Sequence, residues 1–170
     1  MIVLKTREDL SIMRMAGQIA GQCLAMVGEM IRPGVCTRDL DRAAEDFIRS
    51  RGAIPTFKGY NGFPCSLCTS INEVVVHGVP GDSRLEEGDI IAIDVGATFQ
   101  GFVGDTAATF PVGAVSGDAL QLIRITKEAL YTGIEAAQAG AHIGDIGHAI
   151  EGFVRKHGYN VVKEYAGHGV

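Results

Sequence analysis

Ile90-Ile91-Ala92-Ile93-Asp94-Val95-Gly96 is a near-continuous apolar run broken by one acid, followed by a turn signal at Gln100-Gly101 and a returning run containing Gly104-Asp105-Thr106. Two such runs around a short glycine-containing turn predict an antiparallel hairpin. In a hairpin closed by an even-numbered loop, residues whose numbers sum to an odd value share a face, because side chains alternate with period two. Asp94 and Asp105 meet that condition. A loop at Phe99-Gln100 sets them directly opposite, with Cβ atoms roughly 5 Å apart; one at Gln100-Gly101 makes them diagonal neighbours at about 7–8 Å. Two carboxylates about 5 Å apart repel by roughly 3 kcal/mol at an effective dielectric of about 20, before dehydration is counted. A shared proton offsets that repulsion, and a divalent cation does so better if nitrogen ligands converge on it. The plain alternative is one solvated Asp and one that holds backbone amides.

Outward from the hairpin, glycine-rich turns between Thr56 and Val112 separate β-branched runs at Thr69 to Ile71, Val74 to Val76, Ile90 to Val95 and Phe102 to Phe110. Upstream, Thr6 is placed to cap a helix whose apolar positions Ile12, Met15, Ala16, Ile19, Ala20, Cys23, Leu24 and Val27 follow helical spacing up to Pro33-Gly34. A second helix starts near the capping candidate Thr37, buries Leu40, Ala43, Ala44, Phe47 and Ile48, and stops at Gly52. Downstream, Leu120, Ile123, Lys127, Leu130 and Ile134 mark a helix ending at Gly140. The next helix runs from about Ile143 to His157 and buries Ile146, Ala149, Ile150, Phe153 and Val154. A last β-like run, Tyr159 to Tyr165, leads into Gly167-His168-Gly169.

Sliding the sequence by 106 positions lays Gly34, Asp39, Ala43, Glu45, Phe47, Arg49 and Gly52 on Gly140, Asp145, Ala149, Glu151, Phe153, Arg155 and Gly158. Amphipathic periodicity dictates the apolar matches but not the shared glycines, acids and arginine. The expectation is a single truncated domain over 1–170, with a first pseudo-repeat at about 6–112 and a partial second one at about 113–170.

The chain has 170 residues, 46% of them hydrophobic, which is enough for one core. Its net charge of -5 offers no basic stripe for a nucleic acid. No apolar run reaches the roughly 20 residues of a bilayer span, and the first residues are too short for a signal peptide, so a cytoplasmic protein without a membrane partner is expected. Cys23, Cys36, Cys65 and Cys68 read as reduced thiols packed as small hydrophobes; Cys65-Ser66-Leu67-Cys68 lacks the second closely spaced pair of a zinc site. Two histidines occupy unusual settings. His77 ends the run Asn72-Glu73-Val74-Val75-Val76 at a glycine turn, and His168 lies between two glycines that leave its imidazole bare. His142, His148 and His157 fall at helix ends or on helix faces, where solvation and dipole complementarity account for them.

The linked set Ser70-Ile71-Asn72-Glu73-Val74-Val75-Val76-His77-Gly78, Asp94-Val95-Gly96, Gly104-Asp105-Thr106 and Gly167-His168-Gly169 resembles the methionine aminopeptidases, most nearly the bacterial type I form, across essentially the whole chain. The resemblance implies an α+β pita-bread (creatinase/aminopeptidase) fold: a curved antiparallel sheet with helices on its outer face and two pseudo-symmetric halves, the second incomplete here. It implies a hydrolase that removes the initiator methionine of nascent polypeptides. Two divalent ions (Co, Mn, Fe or Zn) would be held with Asp94 as a chelating ligand, Asp105 as the bridging carboxylate and His168 as the nitrogen ligand of the second ion. His77 looks like the substrate-side catalytic imidazole, and Tyr60, Phe63 and Cys68 align with the wall of the methionine pocket. Phe63 departs from the tyrosine that many members carry. A monomeric complete enzyme met at the ribosome is implied as well. The family's two glutamate ligands and a further histidine would fall beyond Val170, so the polypeptide 1–170 is expected to bind metal weakly and to have negligible activity. The competing expectations are an Xaa-Pro aminopeptidase or prolidase, which usually carries an extra N-terminal domain, and a non-catalytic pita-bread binding protein or remnant.

Overall fold

A computed structural model describes residues 4–169. Helix α1 (Arg7–Met30) starts at a capping box: Thr6 Oγ1 accepts from the Asp9 amide at 3.1 Å, and the Asp9 carboxylate accepts from the Thr6 amide at 2.8 Å. Helix α2 (Thr37–Ser50) differs from its sequence reading at the cap. Cys36, with extended backbone, occupies the N-cap position, and Thr37 is the first helical residue. The Thr37 hydroxyl is drawn instead to Gly81, 44 residues away.

The sheet is built on β3 (Ile90–Phe99). β4 (Phe102–Pro111) pairs antiparallel along one edge and β2 (Leu67–Ile71) along the other; the two-residue β1 (Ile54–Pro55), which the sequence does not announce, pairs with Thr98 and Ala97. Val74 to Val76 form no strand. The Val74 amide donates to Ile71 O at 3.0 Å in a tight turn directly after β2, and Asn72 at φ 50° swings the chain out of the sheet.

Strand alternation divides the sheet into two chemistries. Ile91, Ile93, Val95 and Ala97 lie in the core with Ile19, Ala20, Cys23 and Val27 of α1 and Leu40, Ala44 and Ile48 of α2. Their neighbours Ala92, Asp94 and Gly96 belong to the opposite face. Gly104 on β4 allows α1 to lie directly on the sheet, because a Cβ there would strike the backbone of Ala16 and Gly17.

Residues through Val115 form one compact unit, and Ser116–Gly169 form a second. The second holds α3 (Gly117–Ala136) and α4 (Ile143–Lys156) around Ile125, Ala129 and Val154, with Ile150, Phe153, Tyr159 and Val161 packed against them. The buried stripe of α3 is therefore Ile125, Ala129 and Gly133; Leu120, Leu130 and Ile134 are exposed. Small residues win the interface because Gly133 lets Ile150 come close: a Cβ there would sit 2.7 Å from Ile150 Cδ1. Tyr159 to Tyr165 is not a strand. Among the described residues it pairs with no other strand, and its apolar side chains Tyr159 and Val161 pack on the helices instead. The ranges of α2 and α4 are offset by 106 residues at both ends, and Glu45–Arg49 at 2.9 Å recurs as Glu151–Arg155 at 2.7 Å.

Candidate metal and substrate site

The β3–β4 register decides between the two hairpin geometries. Phe99 pairs with Phe102 around the turn Gln100-Gly101, both at positive φ (48° and 85°), as a two-residue hairpin with the native strand twist requires. Asp94 then faces Ala107 and Asp105 faces Gly96, so the two acids are diagonal neighbours on one face. At the roughly 7–8 Å of such a pair, their repulsion is roughly 2 kcal/mol at an effective dielectric of about 20. Both side chains are half-buried. A third group joins them from β2, where Cys68 lies directly opposite Asp94. Burial first, and then the negative charges of Asp94 and Asp105, push the Cys68 thiol up to about 12. One small area of the sheet thus concentrates negative charge beside a neutral, soft sulfur.

The other candidates lie on loops. His77 is exposed and adopts φ 60°, a left-handed conformation uncommon for a residue with a Cβ. The following residue holds it there. Thr69 N donates to Gly78 O at 2.8 Å, Gly78 N donates to Ser70 Oγ at 3.1 Å, and a Cβ on Gly78 would strike the Thr69 carbonyl. Tyr60 is exposed in a single 3-10 turn (Tyr60–Gly62), and Phe63, half-buried, follows it. That loop closes on itself through Gly59 N to Phe63 O at 2.8 Å. His168 belongs to the second unit, in the irregular exposed segment after α4.

Among the described residues, no three His, Cys, Asp or Glu side chains gather as a ready metal cluster. What the first unit offers is the carboxylate pair. Its donors are hard oxygens at fixed register, which fits a divalent cation. His142 and His157 sit at the two ends of α4, where His157 Nδ1 lies 3.0 Å from Phe153 O; His148 is exposed. All four cysteines are free thiols.

Residues 11–170 match the metallopeptidase family M24. The chain belongs to that family. It is 50% identical, over its whole length and 68% of the relative's, to the methionine aminopeptidase of Clostridium acetobutylicum. The crystal structure of methionine aminopeptidase from Rickettsia prowazekii superposes with a TM-score of 0.95 at 43% identity, covering 97% of this chain and 66% of that one. The prolidase of Pyrococcus furiosus superposes at 0.82 and 24% identity over 92% of this chain and 45% of its own, a likeness of fold alone. This M24 chain therefore has the pita-bread fold in part, and spans about two thirds of the length of the methionine aminopeptidases it matches.

Residue types alone do not mark the groups that fasten the segments carrying these candidates. Asp41 accepts from the Ser66 and Leu67 amides at 2.8 and 2.9 Å, and Glu45 takes the Lys58 ammonium at 2.6 Å. Nothing in their spacing separates them from the solvated face of an amphipathic helix.

Proposed function

We propose that this M24 metallopeptidase removes the initiator methionine of nascent polypeptides, with Asp94, Asp105 and His168 as metal ligands and His77 as the imidazole that meets the substrate. The observation that carries the reading is the carboxylate pair on one face of the hairpin, with Cys68 beside it. Asp94 would chelate one ion, Asp105 would bridge two, and His168 would supply nitrogen to the second; such a set accepts manganese, iron, cobalt or zinc. When bound, the ions supply Lewis-acid polarisation of the first peptide carbonyl and an acidified water.

The chain's own residues do the rest. His77 projects an exposed imidazole from its left-handed turn and moves a proton at the scissile amide. Tyr60, Phe63 and Cys68 wall the pocket for the methionine side chain, where aromatic edges and an uncharged sulfur suit a thioether. The two compact units are read as the pseudo-symmetric halves of one catalytic domain, acting in the cytoplasm on chains leaving the ribosome. The complete enzyme is read as a monomer.

Manganese calorimetry on polypeptide 1–170 tests the site. Weak binding is expected, falling by about tenfold or more in Asp105→Ala; equal heats for the two proteins would remove Asp105 from the metal site. In the same preparation, release of methionine from a Met-Ala-Ser peptide with manganese or cobalt is expected to be negligible, and clear turnover would overturn that expectation.

A further inference from the structure

Three side chains on α2 share a spacing and a task. Thr37, Asp41 and Glu45 stand at i, i+4 and i+8, so they line one face of the helix. Each reaches a different segment of the site. Thr37, 1% exposed, donates through Oγ1 to Gly81 O at 3.0 Å and accepts from Gly81 N at 2.9 Å, while Arg38 N also donates to Gly81 O at 3.0 Å. Gly81 lies four residues after His77 in the same connection between β2 and β3. Asp41 Oδ1 accepts from the Ser66 and Leu67 amides, the last two before Cys68. Glu45 Oε2 accepts from Lys58 Nζ at 2.6 Å and from Ser66 Oγ at 3.3 Å, and Lys58 lies two residues before Tyr60.

We propose that Thr37, Asp41 and Glu45 are positioning residues: a polar stripe on α2 that sets the His77 loop, the Cys68 strand and the Tyr60–Phe63 loop in register with one another. The inference rests on the substrate-side reading of those loops. Helix formation does not require this stripe. At the matching positions of α4 stand Ile143, Gly147 and Glu151, and only Glu151 is kept, paired with Arg155 as Glu45 is with Arg49. The two groups with no counterpart in α4 are those that grip backbone. Backbone hydrogen bonds fix where a chain runs, whatever side chains it carries, and buried ones exclude slippage.

The decisive variants are Thr37→Val and Asp41→Ala, with Thr37→Ser and Asp41→Asn as conservative partners that keep a hydroxyl or a carbonyl oxygen. Amide exchange and NMR shifts on polypeptide 1–170 provide the readout. Thr37→Val is expected to speed exchange of the Gly81 amide by about tenfold or more and to move the His77 to Gly81 signals, leaving Ser66 to Cys68 and the β3–β4 hairpin in place. Asp41→Ala is expected to do the reverse, and the conservative variants to restore each pattern. Unchanged Gly81 exchange in Thr37→Val, disturbance spread evenly over both segments and the hairpin, or failure of both conservative variants to restore the signals would overturn the stripe. L-Methioninamide added to the parent chain is expected to shift Tyr60, Phe63, Cys68 and His77. Shifts at none of them would overturn the site reading, and with it the functional part of the proposal, independently of the exchange result.

Discussion

Thr69 sits on the core face of β2, paired with Ile93 and 5% exposed, and its Oγ1 has no hydrogen-bond partner among the described residues. A buried hydroxyl without a partner costs about 1–3 kcal/mol relative to a paired one. Valine has nearly the same shape, and the backbone bond from Thr69 N to Gly78 O does not depend on the side chain. Thr69→Val is therefore expected to raise the unfolding free energy by about 1 kcal/mol in urea titrations; a loss of stability would show that the hydroxyl is paired. At this scale the shared face of the two acids was legible. Asp94 and Asp105 stand out because each acid interrupts an apolar run, and period two fixes their faces, whereas Cys68 reads as a small packed hydrophobe until the β2–β3 register sets it opposite Asp94. Thr37 was not legible in the same way. Its hydroxyl caps no helix and finds Gly81 across the fold, a bond only the packed chain creates.

Between elements, the approach of α1 to β4 sets how firmly Asp105 is held. Gly104 touches the backbone of Ala16 and Gly17 closely enough that a methyl group cannot be accommodated without moving the helix. Gly104→Ala is expected to destabilise the protein by about 2 kcal/mol, seen as a lower urea midpoint, and to weaken manganese binding by displacing the adjacent Asp105. An unchanged midpoint would show that α1 yields without cost. Helix existence was legible from apolar spacing, and all four helices form within a few residues of their expected limits. The buried face of α3 was not. Periodicity weighs large apolar residues, whereas the α3–α4 interface selects Ala129 and Gly133 for close approach and leaves Leu130 and Ile134 outside.

Across the whole molecule, stability should carry a pH signature from Glu45. The hydrogen bond from Lys58, and then that from Arg49, holds the Glu45 carboxyl below its ordinary 4.5, and the same contact holds Lys58 above its ordinary 10.5. A depressed carboxylate stabilises the fold above the unfolded value and loses that contribution as pH falls through the folded one; a raised ammonium loses its share only as pH climbs through its folded value. Glu45→Gln should lower the melting temperature at neutral pH, with the gap narrowing once pH falls under the ordinary 4.5 and closing as it passes through the depressed folded value. A gap that persists into acid would show that the ion pair is not its source.

The sequence alone determined the amphipathic helices, the hairpin, the shared face of its two acids and the 106-residue correspondence, because each depends on local periodicity or on residue identity at fixed spacing. Tertiary structure alone decided the diagonal placement of Asp94 and Asp105, since turn choice depends on how the strands twist and pair. It also released Val74 to Val76 and Tyr159 to Tyr165 from the sheet, because a β-prone run becomes a strand only where a neighbour offers an unpaired edge. And it assigned Thr37, Asp41 and Glu45 their loops, since hydrogen bonds across 13 to 44 residues exist only once the chain has folded.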